Sequence, residues 1–233
     1  MATLLTLCTD AVEGVLENAV PSSIIGNSTP TAVLLRNCAQ DVGRALERGY
    51  KWQALKKSYT FATSDGVTAY DIPEEMRRFI NMTIWSDTDN WPLINVSDAR
   101  YRELVSGIVV SSIRFQYNVG ANQINLNPAP GSSSVNIVFD YHTKYFCENA
   151  STGTGQDRWL ADADVPRLDD NLMVLGIRYR YLARQGLPYD EEKAEFLAAL
   201  SDLRADDQPL TVIDVGCIPQ RLPVNVADGS WII

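Results

Sequence analysis

Leu168, Leu172, Leu175, Tyr179 and Leu182 recur at three- and four-residue intervals, and after the Gly-then-Pro break in "QGLPYDEE" the pattern resumes with Leu197, Leu200 and Arg204. This spacing puts apolar side chains on one face of each of two helices, and the short break folds them into an antiparallel αα-hairpin. The other end of the chain supplies matching helices. Leu4, Cys8, Val12, Val15 and Ala19 form one stripe that stops at Pro21, Ser22 and Ser23. A second helix opens in "NSTPT", with Thr29 placed to cap it and Pro30 where a missing N–H costs nothing. It buries Leu35, Cys38, Val42 and Leu46 and ends at Gly49, after which Trp52 and Leu55 lock it onto the next layer.

Between the helical ends the period changes from helical spacing to alternation. Tyr59 and Phe61 alternate with Thr60 and Ala62, "TSDG" supplies a turn, and Tyr70 and Ile72 resume the alternation, which predicts a β-hairpin over 58–72. Further strands are expected over 79–85, in "WPLINV", in "IRFQYNV" and "QINLNPAP", and in "VNIVFDYHTKYF". "SDARYRELV" predicts a short helix capped by Ser97, with Tyr101 and Leu104 facing inward. The long loop 148–164, rich in Ser, Thr and Gly, suggests mobility. The expected fold class is therefore α+β, an antiparallel helical bundle with a β-rich insertion of hairpins and meander and an extended C-terminal tail. By this division residues 1–57 and 165–206 make the bundle, 58–164 the insertion and 207–233 the tail. The tail carries Ile213, Ile218, Trp231, Ile232 and Ile233 among three prolines. Too broken for a central strand and too apolar for a solvated end, it predicts a segment that lies on a partner.

At 233 residues with 45% hydrophobic and 21% charged side chains, the chain can bury a core without staples. Its formal charge of −9 repels nucleic-acid phosphates at long range, which excludes a DNA clamp but suits a wall past which DNA slides. Cys8, Cys38, Cys147 and Cys217 form no CxxC pair and are read as reduced, buried thiols. No run approaches the roughly 20 apolar residues that span a bilayer, and the first basic residue, Arg36, comes too late for a signal peptide.

No pattern supplies catalytic, cofactor-binding or metal-binding residues. Glu74 and Glu75 in "DIPEEM" are adjacent, so their carboxylates diverge, whereas a glycosidase needs two facing one sugar. They are read as marking a corner in which Asp71 caps, Pro73 fixes φ and the acids start a short helical turn. His142 is the only histidine and lacks the flanking signature of a nucleophile system. "DADVPRLDD" fails as a calcium loop, because Arg167 stands where glycine is required and Met173 where glutamate is. Its acids Asp162, Asp164, Asp169 and Asp170 are expected to cap the following helix, or to meet Arg178, Arg180 or Arg184 of a neighbour. A carbohydrate-binding or cell-wall-degrading protein is the rival reading, with Trp85, Trp91 and Trp159 as stacking platforms; core positions suit Trp85 better than the other two.

The order of elements resembles the head-to-tail adaptor (connector) proteins of short-tailed bacteriophages, of the tail tubular protein A type. The resemblance rests on Trp52 and Leu55, on Tyr70, Ile72 and Pro73, on Leu126, Pro128 and Pro130, and on Leu175, Gly176, Tyr179, Gly186 and Tyr189. It extends over about 34–203. The resemblance implies a structural virion protein made in the host cytoplasm, assembled with itself as a dodecameric ring under the portal protein. Such a ring extends the DNA channel, passes genomic DNA without sequence-specific binding, and docks the tail nozzle or tail tube protein. It implies no cofactor and no membrane. Acids such as Asp162 and Asp164 on one subunit would meet the Arg178, Arg180 and Arg184 face of the next, and the tail would dock through its apolar residues.

Overall fold

A computed structural model of the chain describes residues 2–13, 21–107, 114–120 and 122–207. In chain order these give helix α1 (Leu4–Val12), helix α2 (Pro30–Gly49), a 3₁₀ turn (Gln53–Leu55), and strands β1 (Lys56–Ala62), β2 (Ala69–Asp71), β3 (Met76–Phe79), β4 (Trp85–Ser86), β5 (Trp91–Pro92) and β6 (Ile94–Asn95). Helix α3 (Asp98–Val105) follows, then β7 (Gln116–Gly120), β8 (Gln123–Asn127), β9 (Asn136–Thr143), β10 (Cys147–Glu148), β11 (Gly155–Gln156), β12 (Val165–Pro166), and helices α4 (Asp170–Gln185) and α5 (Asp190–Asp206). The class is α+β. Residues 208–233, with Ile213, Cys217, Ile218, Trp231, Ile232 and Ile233, lie outside the described residues, as do Val15 and Ala19.

Two compact units divide the described chain. One draws on Met1–Tyr59, Pro73–Ile80 and Asp140–Gln208, the other on Thr60–Ile72 and Asn81–Phe139.

The first unit is built on α4, which packs against α1, α2 and α5. Its core comprises Leu4, Leu7 and Cys8 of α1, Leu35, Cys38, Val42 and Leu46 of α2, Leu172, Met173 and Ile177 of α4, and Phe146, Trp159 and Leu168 from the connecting loops. Each large apolar side chain buried this way stabilises the unit by about 1.5–3 kcal/mol relative to leaving it in water. Two glycines set how closely the layers approach. A Cβ on Gly176 of α4 would stand 2.7 Å from Val42 Cγ1, and one on Gly43 of α2 would stand 2.3 Å from the Phe146 ring. Both positions admit only hydrogen.

Local signals define the helix ends. Asp169 caps α4 by accepting the Leu172 N–H at 2.8 Å. Gly186 closes that helix in the left-handed region, φ 73°, while the Leu187 N–H reaches back to the Leu182 carbonyl at 3.0 Å. Thr29 does occupy the cap position of α2, but its side chain makes no capping bond; Asn27 Oδ1 instead accepts the Thr29 N–H at 2.9 Å and shapes the entry. The indole of Trp52 donates to the Leu46 carbonyl at 2.9 Å, the lock expected after α2. On α5 the buried residue is Phe196, against Tyr179 at 5.1 Å between centroids, while Leu197 is 52% exposed. The aromatic ring reaches the open face of Gly176 and so displaces Leu197 from the stripe.

Loop 148–164 is bonded rather than open. β10 pairs with β11 (Cys147↔Gln156) and with β12 (Cys147↔Pro166). Asn149 Oδ1 accepts the N–H groups of Ser151 and Thr152 at 2.9 and 3.1 Å.

In the second unit, β2, β8, β7 and β6 form a sheet in that order, with β6 parallel to β7. The β7–β8 hairpin runs in register from Gln116↔Asn127 to Gly120↔Gln123. Ser97 caps α3 by accepting the Arg100 N–H at 3.3 Å; Leu104 is buried and Tyr101 half-buried. The 58–72 hairpin is a correction: β1 lies beside β9 and β2 beside β8, so the two strands are not partners. Tyr70 explains the separation. Its hydroxyl accepts the Ser64 N–H at 2.9 Å and donates to the Val67 carbonyl at 2.8 Å, holding the turn while the backbone of β2 goes to β8. The strand expected over 79–85 likewise divides into β3 and β4, and "WPLINV" into β5 and β6.

Candidate functional site

Arg178, Arg180 and Arg184 follow one another on α4, and each is placed differently. Arg178 is spent within the unit: Nε donates to the Ala11 carbonyl and Nη2 to the Asp10 carbonyl, both at 3.0 Å. These are C-terminal carbonyls of α1, a helix with no basic residue in its last turn, so the guanidinium satisfies them and complements the helix dipole. Arg184 Nη2 meets Asp41 Oδ2 at 2.5 Å, and Arg180 Nη1 approaches the same oxygen at 3.9 Å while its Nε donates to Tyr179 Oη. Two half-exposed guanidiniums therefore share one carboxylate, which leaves an excess of positive charge at that surface.

Asp162 and Asp164 serve the chain's own backbone. Asp162 Oδ1 accepts the N–H groups of Ile24 and Ile25 at 3.1 and 2.7 Å, and its carbonyl accepts from Leu5 at 3.2 Å. Asp164 is fully buried; Oδ2 accepts from Leu160 and Ala161 at 2.7 and 2.8 Å, and its carbonyl accepts the first N–H of α1, from Leu4, at 2.8 Å. These two aspartates thus anchor α1 and the chain before α2. Asp170 has a similar role, accepting the Ala2 N–H at 2.9 Å.

The Glu74–Glu75 corner is a β-turn, with the Met76 N–H donating to the Pro73 carbonyl at 2.9 Å, and it leads directly into β3 without the expected helical turn. Asp71 does not cap it; in the second unit its carboxylate accepts from Gln123 Nε2 at 2.9 Å. Glu75 accepts from Lys57 Nζ at 2.7 Å and from the Tyr141 hydroxyl. Burial tends to raise its pKa, but the hydrogen bonds from Lys57 and Tyr141 and the lysine charge outweigh that and hold it below the ordinary carboxylate value. An ionised carboxylate tied down by two neighbouring side chains is a structural bond.

His142 lies on β9 opposite Arg78 of β3 and is 9% exposed. Burial lowers its pKa; a backbone hydrogen bond at Trp52 opposes this, while the charges of Lys51, Arg78 and Lys56 add to it. A histidine kept neutral in the fold binds a proton more readily once unfolded, so it withdraws stability as pH falls below about 6.5. Glu75 and Asp140, whose folded pKa values are lowered, lose their contribution only as pH falls on below about 4. Urea midpoints are therefore expected to drop between about pH 7.5 and pH 5.5 in the native sequence and to stay level in His142→Gln. An equal drop in both would remove His142 as the cause.

The aromatic platforms divide. Trp159 is a correction: it is 4% exposed and packs edge-on against Phe146 at 5.8 Å, so it offers no stacking face. In the second unit Trp85 and Trp91 are 39% and 47% exposed, and the guanidinium of Arg114 covers the Trp91 ring at 4.1 Å. Cys8, Cys38 and Cys147 are free and buried; burial, followed by the charges of Cys38 and Asp162, pushes the Cys8 thiol up to about 12. Among the described residues no group of three or more His, Cys, Asp or Glu is placed to hold a metal ion, and no helix is long and apolar enough to cross a membrane.

Sequence reasoning missed one surface. Arg36, Gln40 and Arg44 on α2, with Arg158, Trp159 and Leu160 from the loop before β12, line a cavity of about 350 Å³ in the first unit. The i, i+4, i+8 spacing of the first three was the available signal.

Asp162, Asp164 and Asp170 are thus committed to backbone N–H groups of their own chain, while the guanidiniums of Arg180 and Arg184 exceed the one carboxylate they share. A family model described as SU10 adaptor protein matches residues 2–213, nearly the whole chain. The chain belongs to this family of bacteriophage adaptor proteins. No curated protein matches it.

Proposed function

We propose that this chain is a head-to-tail adaptor of the tail tubular protein A type, a structural part of the virion. It forms a ring, of twelve copies, beneath the portal protein, extends the DNA channel and docks the tail nozzle or tail tube protein. The adaptor-family match over residues 2–213 carries this reading. Three further features support it. The paired guanidiniums of Arg180 and Arg184 exceed the single Asp41 they share, and so offer a place for an acid of a neighbouring subunit. A formal charge of −9 suits a channel through which DNA passes without adhering. Residues 208–233, with Ile213, Ile218, Trp231, Ile232 and Ile233, have the composition of a segment that docks on a partner surface.

Native mass spectrometry of the chain, alone and mixed with the portal ring of its phage, tests the reading. A shift from subunit to a ring-sized complex is expected on mixing, and deletion of residues 208–233 should abolish docking while leaving the circular dichroism spectrum of the fold. A subunit that ignores the portal would overturn the proposal. The carbohydrate-binding alternative would then rest on Trp85 and Trp91 alone, since Trp159 is buried.

A further inference from the structure

The arginine-lined cavity of the first unit has the chemistry of a carboxylate receptor. Arg36 and Arg44 extend from α2 and Arg158 from the facing loop, with the exposed Leu160 as an apolar edge above the buried Trp159. Neither Arg36 nor Arg44 has an ion-pair partner among the described residues, and Arg158 has only a 3.5 Å approach to its neighbour Asp157. Gln40 holds the loop in place, donating from Nε2 to the Asp157 carbonyl at 2.9 Å and accepting the Trp159 N–H at 3.2 Å. The Trp159 indole N–H is buried and finds no acceptor among the described residues. Three guanidiniums facing one cavity, with Asp157 the one carboxylate paired to them among the described residues, leave an excess of positive charge that an incoming anion would offset.

We propose that this cavity receives the acidic start of α5 from a second copy of the chain. That start presents Asp190, Glu191 and Glu192 in the first helical turn, which opens three residues after Leu187, itself 45% exposed. Carboxylates near an exposed leucine match guanidiniums next to Leu160. A phosphodiester backbone would meet the charges but not the apolar edge.

The geometry favours a contact between copies over one within a copy. Arg36, Gln40 and Arg44 fall within about 80° of one another around α2. Val42, which packs on Gly176 of α4, is rotated about 160° from Gln40. The α5 helix packs on α4 through Phe196 and Tyr179, and none of its residues lines the cavity, which lies on the face of α2 turned away from α4. Donor and acceptor patches on different sides of one subunit make a heterologous contact, which closes into a ring when its rotation permits. The inference deepens the ring assembly proposed above and supplies residues for it.

Sedimentation velocity of the full chain over a range of concentrations tests the contact without the portal. Weak, concentration-dependent self-association short of the ring is expected at about 0.05 M salt and should weaken further at about 0.5 M, because the pairs are partly exposed; the ring itself forms on the portal. R36E/R44E and D190K/E191K should each weaken it at least about tenfold, and an equimolar mixture of the two should restore it, since reversed charges meet reversed charges. Unchanged urea midpoints would show that each variant folds. Self-association unaffected by R36E/R44E, or a native chain that stays monomeric alone and on the portal, would overturn the proposal. So would loss of binding to a short DNA duplex in R36E/R44E with self-association intact, which would assign the cavity to phosphate. Portal binding is read separately: a ring that forms on the portal despite R36E/R44E rejects this contact and keeps the adaptor reading. Salt-sensitive self-association by a chain that ignores the portal does the reverse.

Discussion

Phe146→Ala is expected to lower the free energy of unfolding by about 3–5 kcal/mol, the largest effect of any single substitution considered for this protein. The ring is 1% exposed, and it packs against Trp159 on one side and over Gly43 of α2 on the other. Truncation removes the apolar contact and leaves a hole that α2 and the loop cannot both close. Gly43→Ala acts on the same contact from the other side. Its new Cβ would stand 2.3 Å from the ring, a collision that costs about 1–3 kcal/mol. About 1 kcal/mol of that is returned by the better helix propensity of alanine. In the double variant the methyl group enters the space vacated by the ring, so the combined loss should be smaller than the sum. Urea denaturation of the four proteins measures the coupling. Strict additivity would show that Gly43 is there for some reason other than the approach of Phe146.

Asp164→Ala is expected to cost about 1–3 kcal/mol, by removing a fully buried carboxylate and leaving the half-buried N–H groups of Leu160 and Ala161 without their acceptor. Asp164→Asn retains one oxygen acceptor and should lose less. The loop carrying Asp164 also supplies, through its backbone carbonyls at positions 162 and 164, the acceptors for the first N–H groups of α1. Hydrogen exchange at Leu4 and Leu5 should therefore accelerate in the alanine variant by more than exchange at Met173 in the middle of the core. A uniform acceleration would mean that the carboxylate stabilises the unit as a whole rather than this anchor.

The helices were legible because their periodicity and their punctuation agree. Pro30 opens α2, and Asp169 and Gly186 bound α4, each through a backbone requirement that the residue type itself satisfies; α2 ends at Gly49 with the chain turning extended at Tyr50. The alternation of Tyr59, Phe61, Tyr70 and Ile72 was equally visible, but alternation says which face a side chain takes and nothing about which strand lies alongside. That choice was made by Tyr70, whose hydroxyl holds the intervening turn, and by β8, which is distant in sequence. On α5 both Phe196 and Leu197 offered plausible stripes, and a gap on α4, at Gly176, decided between them. The aspartates of "DADVPRLDD" were legible as caps, and Asp169 is one. Their neighbours Asp162 and Asp164 take backbone N–H groups from Ile24, Ile25, Leu160 and Ala161, and no local pattern announces the first two. The Arg36 and Arg44 surface had a helical spacing in the sequence, but Arg158, which completes it, is brought there by the Gln40 bonds to a loop 117 residues away.

The interleaving of the two units has a consequence for synthesis on the ribosome. The core of the first unit joins α1 and α2 to Phe146, Trp159 and α4, and the Ala2 N–H meets Asp170 across 168 positions of sequence. Early-emerging α1 and α2 have each other, Ile24, Trp52 and Leu55, but the α4 helix on which both pack comes only in the last third of the chain, whereas the described residues of Thr60–Ile72 and Asn81–Phe139 are all available before that point. Translation thus presents the described residues of the second unit while the faces of α1 and α2 that pack on α4 are still uncovered. That interval, at about 5–20 residues per second, lasts several seconds in which a nascent chain offers chaperones a binding site that the finished protein no longer has.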